Sequence, residues 1–368
     1  MRGHIDRPLL ILTVTLLFAG ILIFGSAAFG MLGQGSQNIS SVVFNHLALG
    51  IGFGLLAILV TSRMDYKKWR KFAPFLFVLA LIATALVFVP QIGLEHGGGK
   101  RWLNIFGISF QPSEALKLGV IMVAAAYFTA IRPRMESARY ALVGLVAILA
   151  LPTILLVMQP DIGTLGIIIA GVLAIFLAAG APWRYIIAVI LIATLALGVL
   201  ALNRPYVRDR IVTFFNPAQN QQNEGYQIRQ SLIAIGSGGL AGRGFGQGIQ
   251  KFRYLPEPMG DSIFAVIGEE LGFLGSVAMV ILFLLLALRG FWVAARAPDV
   301  FGGLLAVGIS AYIGSQAFIN IGAMLGVAPI TGIPLPFISQ GGSAMLISLA
   351  SAGILLNISR HRSTSHKT

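Results

Sequence analysis

Asp261 combines a titratable side chain with a position suited to chemistry at a membrane surface. A polar segment with two prolines and a glycine, residues 254–260, precedes it, and the apolar run 263–288 follows. Since a run of that length can cross a bilayer, the carboxylate is expected where water meets lipid. There it can take a proton from a substrate hydroxyl, or it can cap the helix that follows. The sequence leaves both roles open.

Charged residues at three earlier positions could take part in the same chemistry. Glu114 and Lys117 stand three residues apart at the start of an apolar run, so they share one helix face and form either a local ion pair or part of a site. Arg101, just upstream, is either a binding residue or a base anchored at the membrane interface. Asp161 directly precedes another apolar run and is expected to cap it.

A glycine-rich segment, residues 236–248, contains Arg243. Its glycines permit close backbone approach, so the amide groups and Arg243 could cradle a pyrophosphate. A flexible turn is the alternative, because the segment lacks the Gly-Lys-Ser/Thr of nucleotide-binding loops and no strand is expected before it. Glu269 and Glu270 lie inside the following apolar run, where carboxylates need a partner or a polar cavity.

Residues 329–342 form a segment with three prolines, three glycines and no charge. The composition predicts a rigid, re-entrant loop. Irregular backbone at membrane depth is tolerated only where it is buried in protein or lines a cavity. The segment is therefore expected to be either a cavity wall or a structural plug.

The composition places the whole chain in a membrane. Hydrophobic residues make up 57% of the chain and charged residues 11%, and the mean hydropathy is +0.86, which excludes a soluble domain. There is no cysteine, and the five histidines show no ligand spacing, so a metal ion would have to be held by oxygen. The net charge of +13 is interpreted as a topology signal rather than as a nucleic-acid surface.

The apolar runs predict an all-α integral membrane protein, a single polytopic domain covering residues 1–368. Most of its lysines and arginines fall in alternate short loops, which predicts that both termini are cytoplasmic. Residues 203–262 are then a long extracytoplasmic loop, whose apolar stretches predict short interfacial helices. The ten predicted transmembrane helices are residues 9–29, 41–60, 73–89, 113–131, 141–157, 162–179, 185–202, 263–288, 300–325 and 343–358.

Several of these stretches, taken together and in this order, resemble the SEDS family of bacterial cell-wall polymerases, the group that contains FtsW and RodA. The ten-helix topology agrees with that family. The matching stretches are Lys-Arg-Trp at 100–102, Gln-Pro-Ser-Glu at 111–114, Gln-Pro-Asp-Ile-Gly-Thr at 159–164, Gly-Tyr-Gln at 225–227, Leu-Pro-Glu at 255–257, Ile-Gly-Glu-Glu at 267–270 and Gly-Ile-Pro-Leu-Pro-Phe-Ile-Ser at 332–339.

The resemblance implies an inverting glycosyltransferase in the bacterial plasma membrane that polymerises lipid II, an undecaprenyl-pyrophosphate-linked disaccharide-pentapeptide, at the outer face. It implies a class B penicillin-binding protein as transpeptidase partner, along with divisome or elongasome proteins. No cofactor is certain, although Mg²⁺ or Mn²⁺ could take part. Asp261 would be the catalytic residue. The substrate-binding set would be Arg101, Glu114, Lys117, Asp161, Gln230, Arg243, Lys251 and Ser339, and the cavity would be supported by Glu269, Glu270 and Pro336.

The chain departs from the family pattern close to the acid. Met259 and Gly260 stand where His-Thr is usual, Ser262 where Phe is common, and Gln340 where Tyr is common. Residues 250–257 and 353–360 are more similar to FtsW than to RodA, which favours a role in division over one in elongation. A transporter that flips lipid-linked precursors and a non-catalytic scaffold are the alternatives from other functional classes.

Overall fold

The computed structural model describes residues 5–32, 39–96, 99–105, 108–216 and 224–361. In the first half, a π-helical stretch, Asn45–Gly52, joins α2 to α3, and a three-stranded antiparallel sheet in the order β1-β2-β3 precedes α5. The elements are α1 (Arg7–Leu32), α2 (Ile39–Phe44), α3 (Phe53–Arg63), α4 (Lys67–Leu86), β1 (Gly93–His96), β2 (Gly99–Ile105), β3 (Ile108–Phe110), α5 (Pro112–Ile131), α6 (Ala138–Met158), α7 (Ile162–Ala178) and α8 (Trp183–Asn203).

The second half contains three short helices and then three long ones. The short helices lie between α8 and α12, in the segment predicted to be a long loop. The elements are α9 (Pro205–Phe215), α10 (Glu224–Ser237), α11 (Gln250–Arg253), α12 (Ile263–Ala295), α13 (Val300–Met324) and α14 (Gly342–Arg360).

The membrane character of the fold is confirmed. In the described ranges, nine helical spans are long and apolar enough to cross a bilayer, and α7 is a further apolar helix of 17 residues. Each of the ten predicted spans overlaps one of these, but the total of ten crossings stays a prediction. The bounds differ most at α4, which begins at Lys67 and ends at Leu86 instead of covering residues 73–89, and at α12, which continues beyond residue 288 to Ala295.

The most buried helices are α13 and α14, and they form the centre of the bundle. Helix α13 packs against α12, α7 and α5, and α14 packs against α3 and α5. Helix α8 lies at the periphery, where only Tyr185 and Ile186 of its residues are buried. The start of α1 and the end of α14 meet at one face, because the Asp6 amide donates to Ser359 Oγ at 3.1 Å and the Asp6 carboxylate pairs with Arg289 at 2.7 Å.

Helix α12 is broken at Gly272, a feature that the sequence analysis did not predict. Gly272 has φ +67°, and a Cβ there would lie 2.2 Å from the Gly242 amide nitrogen, so no side chain fits. The glycine-rich segment supplies hydrogen bonds at the break: the amides of Arg243 and Gly244 donate to carbonyls of α12, and the Phe273 amide donates back to the segment at 2.8 Å. The break therefore leaves few unpaired backbone groups.

The segment between α13 and α14 is an irregular loop that is mostly buried, as its composition predicted. Helix α1 packs directly on it. A Cβ at Gly20 would lie 2.1 Å from the Phe337 carbonyl oxygen, so the loop reaches this depth only because α1 has a glycine at the contact. This loop forms the floor beneath Asp261, as its contacts below show.

Candidate active site

Asp261 lies just before α12, and its carboxylate makes no hydrogen bond or ion pair with any described residue. Ser262 occupies the N-cap position of α12, and its side chain accepts no hydrogen bond from the first turn of the helix. The interpretation of Asp261 as a helix cap is therefore wrong. The physical reason is that the helix begins two residues later, at Ile263, with the Ser262 hydroxyl bound instead by Gln227 Nε2 at 2.9 Å. The carboxylate is left available for chemistry.

Two guanidinium groups face this carboxylate across Gly332. A Cβ placed on Gly332 would lie 3.5 Å from Asp261 Oδ2, 3.8 Å from Arg101 Nη1 and 4.0 Å from Arg210 Nη2. Gly332 has φ +69° and no side chain, so the space between the three groups stays open. One carboxylate and two cations thus converge on the small space beside the Gly332 Cα, the Asp261 cavity.

Arg101 is held in place by backbone carbonyls on the turn between α6 and α7. Its Nε donates to the Gln159 carbonyl at 3.3 Å and its Nη2 to the Pro160 carbonyl at 2.6 Å. Tyr206 from α9 donates to the same Pro160 carbonyl at 2.7 Å. The remaining nitrogen, Nη1, is the one that faces Gly332. The small sheet thus carries Arg101 on β2 to the site.

Arg210 on α9 was not predicted to be a site residue. Its Nε binds Glu224 of α10 at 2.8 Å, its Nη1 donates to the Thr331 carbonyl at 3.3 Å, and its guanidinium stacks on Tyr206 at 4.5 Å. Arg210 and Thr331 are 121 residues apart, so no local pattern could have paired them. The predicted interfacial helices were the only sequence signal in this segment.

Burial and the charges around Asp261 set the pKa of its carboxyl group. Burial raises the pKa of the Asp261 carboxyl to about 6, and the negative charges of Glu257 and Asp161 add to the increase. The positive charges of Arg101 and Arg210 oppose it. A carboxyl that titrates near pH 6 is ionised at neutral pH, yet it is a stronger base than an ordinary aspartate.

Asp161 caps α7 as predicted. Its Oδ1 accepts from the Thr164 amide at 3.2 Å, and its Oδ2 accepts from Ser113 Oγ at 3.3 Å. It therefore joins the start of α5 to the start of α7. Its charge also acts on Asp261, so it lies within electrostatic reach of the cavity.

Glu114 and Lys117 form the ion pair that their spacing indicated, at 2.9 Å, and both are buried. Lys117 Nζ also donates to Gln316 Oε1 of α13 at 2.6 Å. Gln316 in turn donates to the Pro334 carbonyl at 2.8 Å. This ammonium therefore lies behind the buried loop, and a direct contact between Lys117 and a substrate stays a prediction.

Ser339 and Pro336 belong to the buried loop that supports the Asp261 segment. Ser339 Oγ accepts from the Leu335 amide at 2.7 Å and donates to the Gly260 carbonyl at 2.8 Å. Pro336 is buried next to them. The Gln340 amide donates to the Met259 carbonyl at 2.6 Å, a contact that the Gln340 side chain does not enter. The departures at Met259 and Gln340 thus meet through their backbones.

The glycine-rich segment binds the protein's own carboxylates. Glu270 accepts from the Gly246 amide at 3.0 Å and from Lys251 Nζ at 2.5 Å. Glu269 accepts from the Ile249 amide at 2.8 Å and lies 3.6 Å from Arg243. Both glutamates have the partners that their depth requires. These donors therefore already bind anionic side chains of the protein. Pyrophosphate binding by this segment stays a prediction.

Two further predictions can be placed on the structure. Gln230 lies half-buried on α10, one turn beyond Gln227, and donates to none of the described residues.

A group of three or more carboxylate or histidine side chains able to hold Mg²⁺ or Mn²⁺ is not found among the described residues. The two guanidinium groups beside Asp261 oppose binding of a cation there, so no reaction step is assigned to a metal ion.

This arrangement suits a reaction in which an anion leaves as a hydroxyl is deprotonated. The free carboxylate can accept the proton. The two guanidinium groups can stabilise negative charge on phosphate oxygens, which they bind through paired hydrogen bonds.

Sequence comparisons identify relatives along nearly the whole chain. A family model for FtsW, RodA and SpoVE, described as cell cycle protein, matches residues 7–364. Stage V sporulation protein E of Bacillus subtilis is 36% identical over 97% of this chain and 97% of its own length. A probable peptidoglycan glycosyltransferase FtsW of Geobacter metallireducens is 39% identical over 83% of this chain and 82% of its own. Peptidoglycan glycosyltransferase MrdB of Escherichia coli is 35% identical over 98% and 95%.

Two solved structures share the fold. One is a chain from a study of how a peptidoglycan synthase complex coordinates polymerization and crosslinking; it has a TM-score of 0.80 and 28% identity and covers 98% of this chain and 99% of that chain. The other is the rod shape determining protein RodA of Thermus thermophilus, with a TM-score of 0.70, 28% identity and 98% of each chain covered.

Proposed function

Because the chain belongs to the FtsW, RodA and SpoVE family, we propose that it is a peptidoglycan glycosyltransferase that polymerises lipid II with Asp261 as general base. The relatives named as glycosyltransferases support the activity. The observation that carries the catalytic role is the Asp261 carboxylate, which has no partner among the described residues, has its pKa raised to about 6, and faces Arg101 and Arg210 across Gly332.

The proposed reaction is a single displacement at the anomeric carbon of the donor sugar. The acceptor hydroxyl oxygen forms the new bond to that carbon, and its proton moves to Asp261. The bond between the carbon and the pyrophosphate oxygen breaks, and the pyrophosphate leaves with the electron pair. Arg101 and Arg210 bind the departing charge, so they act most strongly when that charge is largest. One displacement inverts the anomeric configuration.

The other named residues support this site in the proposal. Glu114, Lys117 and Asp161 join α5, α7 and α13 behind the cavity, while Ser339 fixes the loop that carries the Asp261 segment. Arg210 takes the role that the sequence analysis gave to Arg243 as a further phosphate-binding cation. The reason is position: Arg210 faces Asp261 across Gly332, whereas Arg243 lies beside Glu269 at the break in α12.

A role in division is the finer proposal. It rests on the similarity of residues 250–257 and 353–360 to FtsW. The identities of the relatives do not separate the roles, because FtsW, MrdB and a sporulation protein are similar to this chain at comparable identity. The solved synthase complex supports a transpeptidase partner, proposed to be a class B penicillin-binding protein. The proposed location is the bacterial plasma membrane, with both termini cytoplasmic. Arrest of septation without loss of rod shape on depletion would support the division role, and rounding of cells would contradict it.

The direct test uses purified protein in proteoliposomes with lipid II. Wild-type protein is expected to produce glycan strands, and Asp261→Asn is expected to lose about 100- to 10,000-fold of that rate, because the amide keeps the shape and removes the base. Asp209→Asn is the matched control, since Asp209 is 58% exposed on α9 and lies outside the cavity. Arg210→Gln is expected to lower the rate, and Arg208→Gln, 65% exposed, is its control.

The outcomes separate the functional classes. Near-normal polymerisation by Asp261→Asn would reject the general-base role. Movement of lipid II between leaflets without polymer would support the transporter, and the absence of both activities, with partner proteins added, would support the scaffold.

A further inference from the structure

Asn320, a buried residue near the end of α13, connects the Asp261 backbone to the buried loop. Its Nδ2 donates to the Asp261 carbonyl at 2.9 Å and to the Ile333 carbonyl at 2.8 Å. One amide nitrogen carries two hydrogens, so a single side chain can hold both carbonyls. Asn320 thus joins two segments that are distant in sequence and adjacent at the cavity.

Both ends of this connection lead to groups of the proposed site. Ile333 follows Gly332, whose missing side chain leaves the space between Asp261, Arg101 and Arg210. Thr331, one residue earlier, accepts a hydrogen bond from Arg210 through its carbonyl. The position of Asp261 relative to the guanidinium groups therefore depends on the loop that Asn320 holds.

The Asp261 side chain itself supplies no such restraint. Its carboxylate makes no hydrogen bond to a described residue, so its place is fixed by its own backbone and by packing. Asn320 provides the side-chain hydrogen bond to that backbone.

Stability alone does not explain the amide. Asn320 Oδ1 is buried without a hydrogen-bond partner among the described residues, and an unpartnered buried oxygen costs free energy. Asn357 in α14 offers a contrast. It is equally buried, its Nδ2 donates to the Ser62 carbonyl at 2.9 Å, and its Oδ1 accepts from the Tyr66 amide at 2.9 Å. What Asn320 contributes is its two donors, both of which are used at the cavity.

Gln316, one turn earlier on the same face of α13, repeats the arrangement. Its Nε2 donates to the Pro334 carbonyl, and its Oε1 accepts from Lys117. Two consecutive loop carbonyls, those of Ile333 and Pro334, are thus held by two amides of α13. This polar face of α13 therefore holds the loop and the Asp261 backbone in fixed positions.

We propose that Asn320 is a positioning residue for Asp261, whose side-chain amide fixes the general base relative to the two arginines. The inference rests on the proposed function. Asn320 is proposed to set the geometry of the site without contacting substrate. Its replacement is therefore expected to change kcat more than KM. Small displacements of a catalytic group can cost about 100-fold in rate.

The test compares Asn320→Ala with Asn357→Ala in full-length protein reconstituted with lipid II. Each change removes a buried amide that binds two backbone groups, one at the cavity and one at the opposite end of the bundle. Asn320→Ala is expected to lower kcat about 10- to 100-fold with KM within about threefold of wild type. Asn357→Ala is expected to keep kcat within about threefold while lowering the melting temperature at least as much.

A second variant covers the case in which Asn320→Ala does not fold. Asn320→Ser retains one hydroxyl donor in a smaller side chain and is expected to give an intermediate kcat. The proposal is overturned if Asn320→Ala or Asn320→Ser turns over at the wild-type rate, or if Asn357→Ala loses as much kcat as Asn320→Ala. Activity retained by Asp261→Asn would reject the general base itself, a result distinct from either.

Discussion

At the residue scale, the site depends on a carboxylate that is free at its tip and fixed at its backbone. Asp261 lacks side-chain partners among the described residues, while Asn320 and the loop hold the backbone around it. Burial and the neighbouring acids raise its pKa, and the arginines limit the increase. The Asp261 carboxyl is thus ionised at neutral pH and yet more basic than an ordinary aspartate, because these neighbours act on its pKa in opposite directions.

This balance predicts the pH dependence of polymerisation. A general base acts in its ionised form, so kcat/KM is expected to rise about tenfold per pH unit below pH 6 and to level off above it, following the pKa of about 6. Arg210→Gln removes a positive charge that lowers this pKa, so the rising limb is expected to move to higher pH. Rates measured with lipid II from pH 4.5 to 8 test both expectations, with Arg208→Gln as the unshifted control. A flat profile across that range would contradict the role of Asp261.

At the element scale, the break in α12 is held by a buried polar cluster. Lys251 Nζ binds Glu270 Oε1 at 2.5 Å and Ser26 Oγ at 2.7 Å, and Ser26 also donates to Glu270. The cluster joins α1, α11 and the first part of α12. Gly30 of α1 allows the approach, because a Cβ there would lie 2.7 Å from the Lys251 carbonyl oxygen.

Removal of one partner from this cluster is expected to destabilise the protein. Lys251→Met leaves the Glu270 charge buried without its cation, a change that typically costs about 3 to 5 kcal/mol. The predicted result is a lower melting temperature in detergent and faster proteolysis within residues 236–254. Arg253→Met is the matched control, since Arg253 is exposed two residues away on the same short helix. Equal melting temperatures for the two variants would show that the cluster contributes little.

At the scale of the whole molecule, the start of α1 and the end of α14 lie at one face, and the Asp261 cavity lies at the other end of the bundle. The Asp6 amide bonds Ser359 at the first face, whereas Asp261 precedes the opposite end of α12.

Cysteine labelling tests which face is outside. The chain has no cysteine, so single replacements report without background. Asp209→Cys on α9 is expected to react with an impermeant thiol reagent in intact cells, and Ser137→Cys, exposed between α5 and α6, only after permeabilisation. Labelling of Ser137→Cys alone in intact cells would reverse the orientation.

The sequence predicted those parts of the fold that depend on long or local signals. Apolar runs located the spans, because the bilayer sets their length, and the position of Asp161 before a run located a true cap. Strands of three to seven residues gave no recognisable pattern, so the sheet that carries Arg101 was missed. Arg210 and Asn320 were also missed, because their partners lie 121 and 59 residues away. The cap role left open for Asp261 was wrong because a shift of one residue, from Asp261 to Ser262, decides which residue stands at the N-cap.

The break at Gly272 also decides how a hydrophilic product can leave. Residues 273–295, the part of α12 after the break, are about 34 Å long at 1.5 Å per residue, enough to cross a hydrocarbon core of roughly 30 Å without help. The part before the break, with Asp261 ahead of its first turn, is therefore not required for crossing and can lie in the headgroup layer. Under the proposed function, a sugar strand lengthened there would grow into the headgroup layer and then into water, so no pore would be needed to export it.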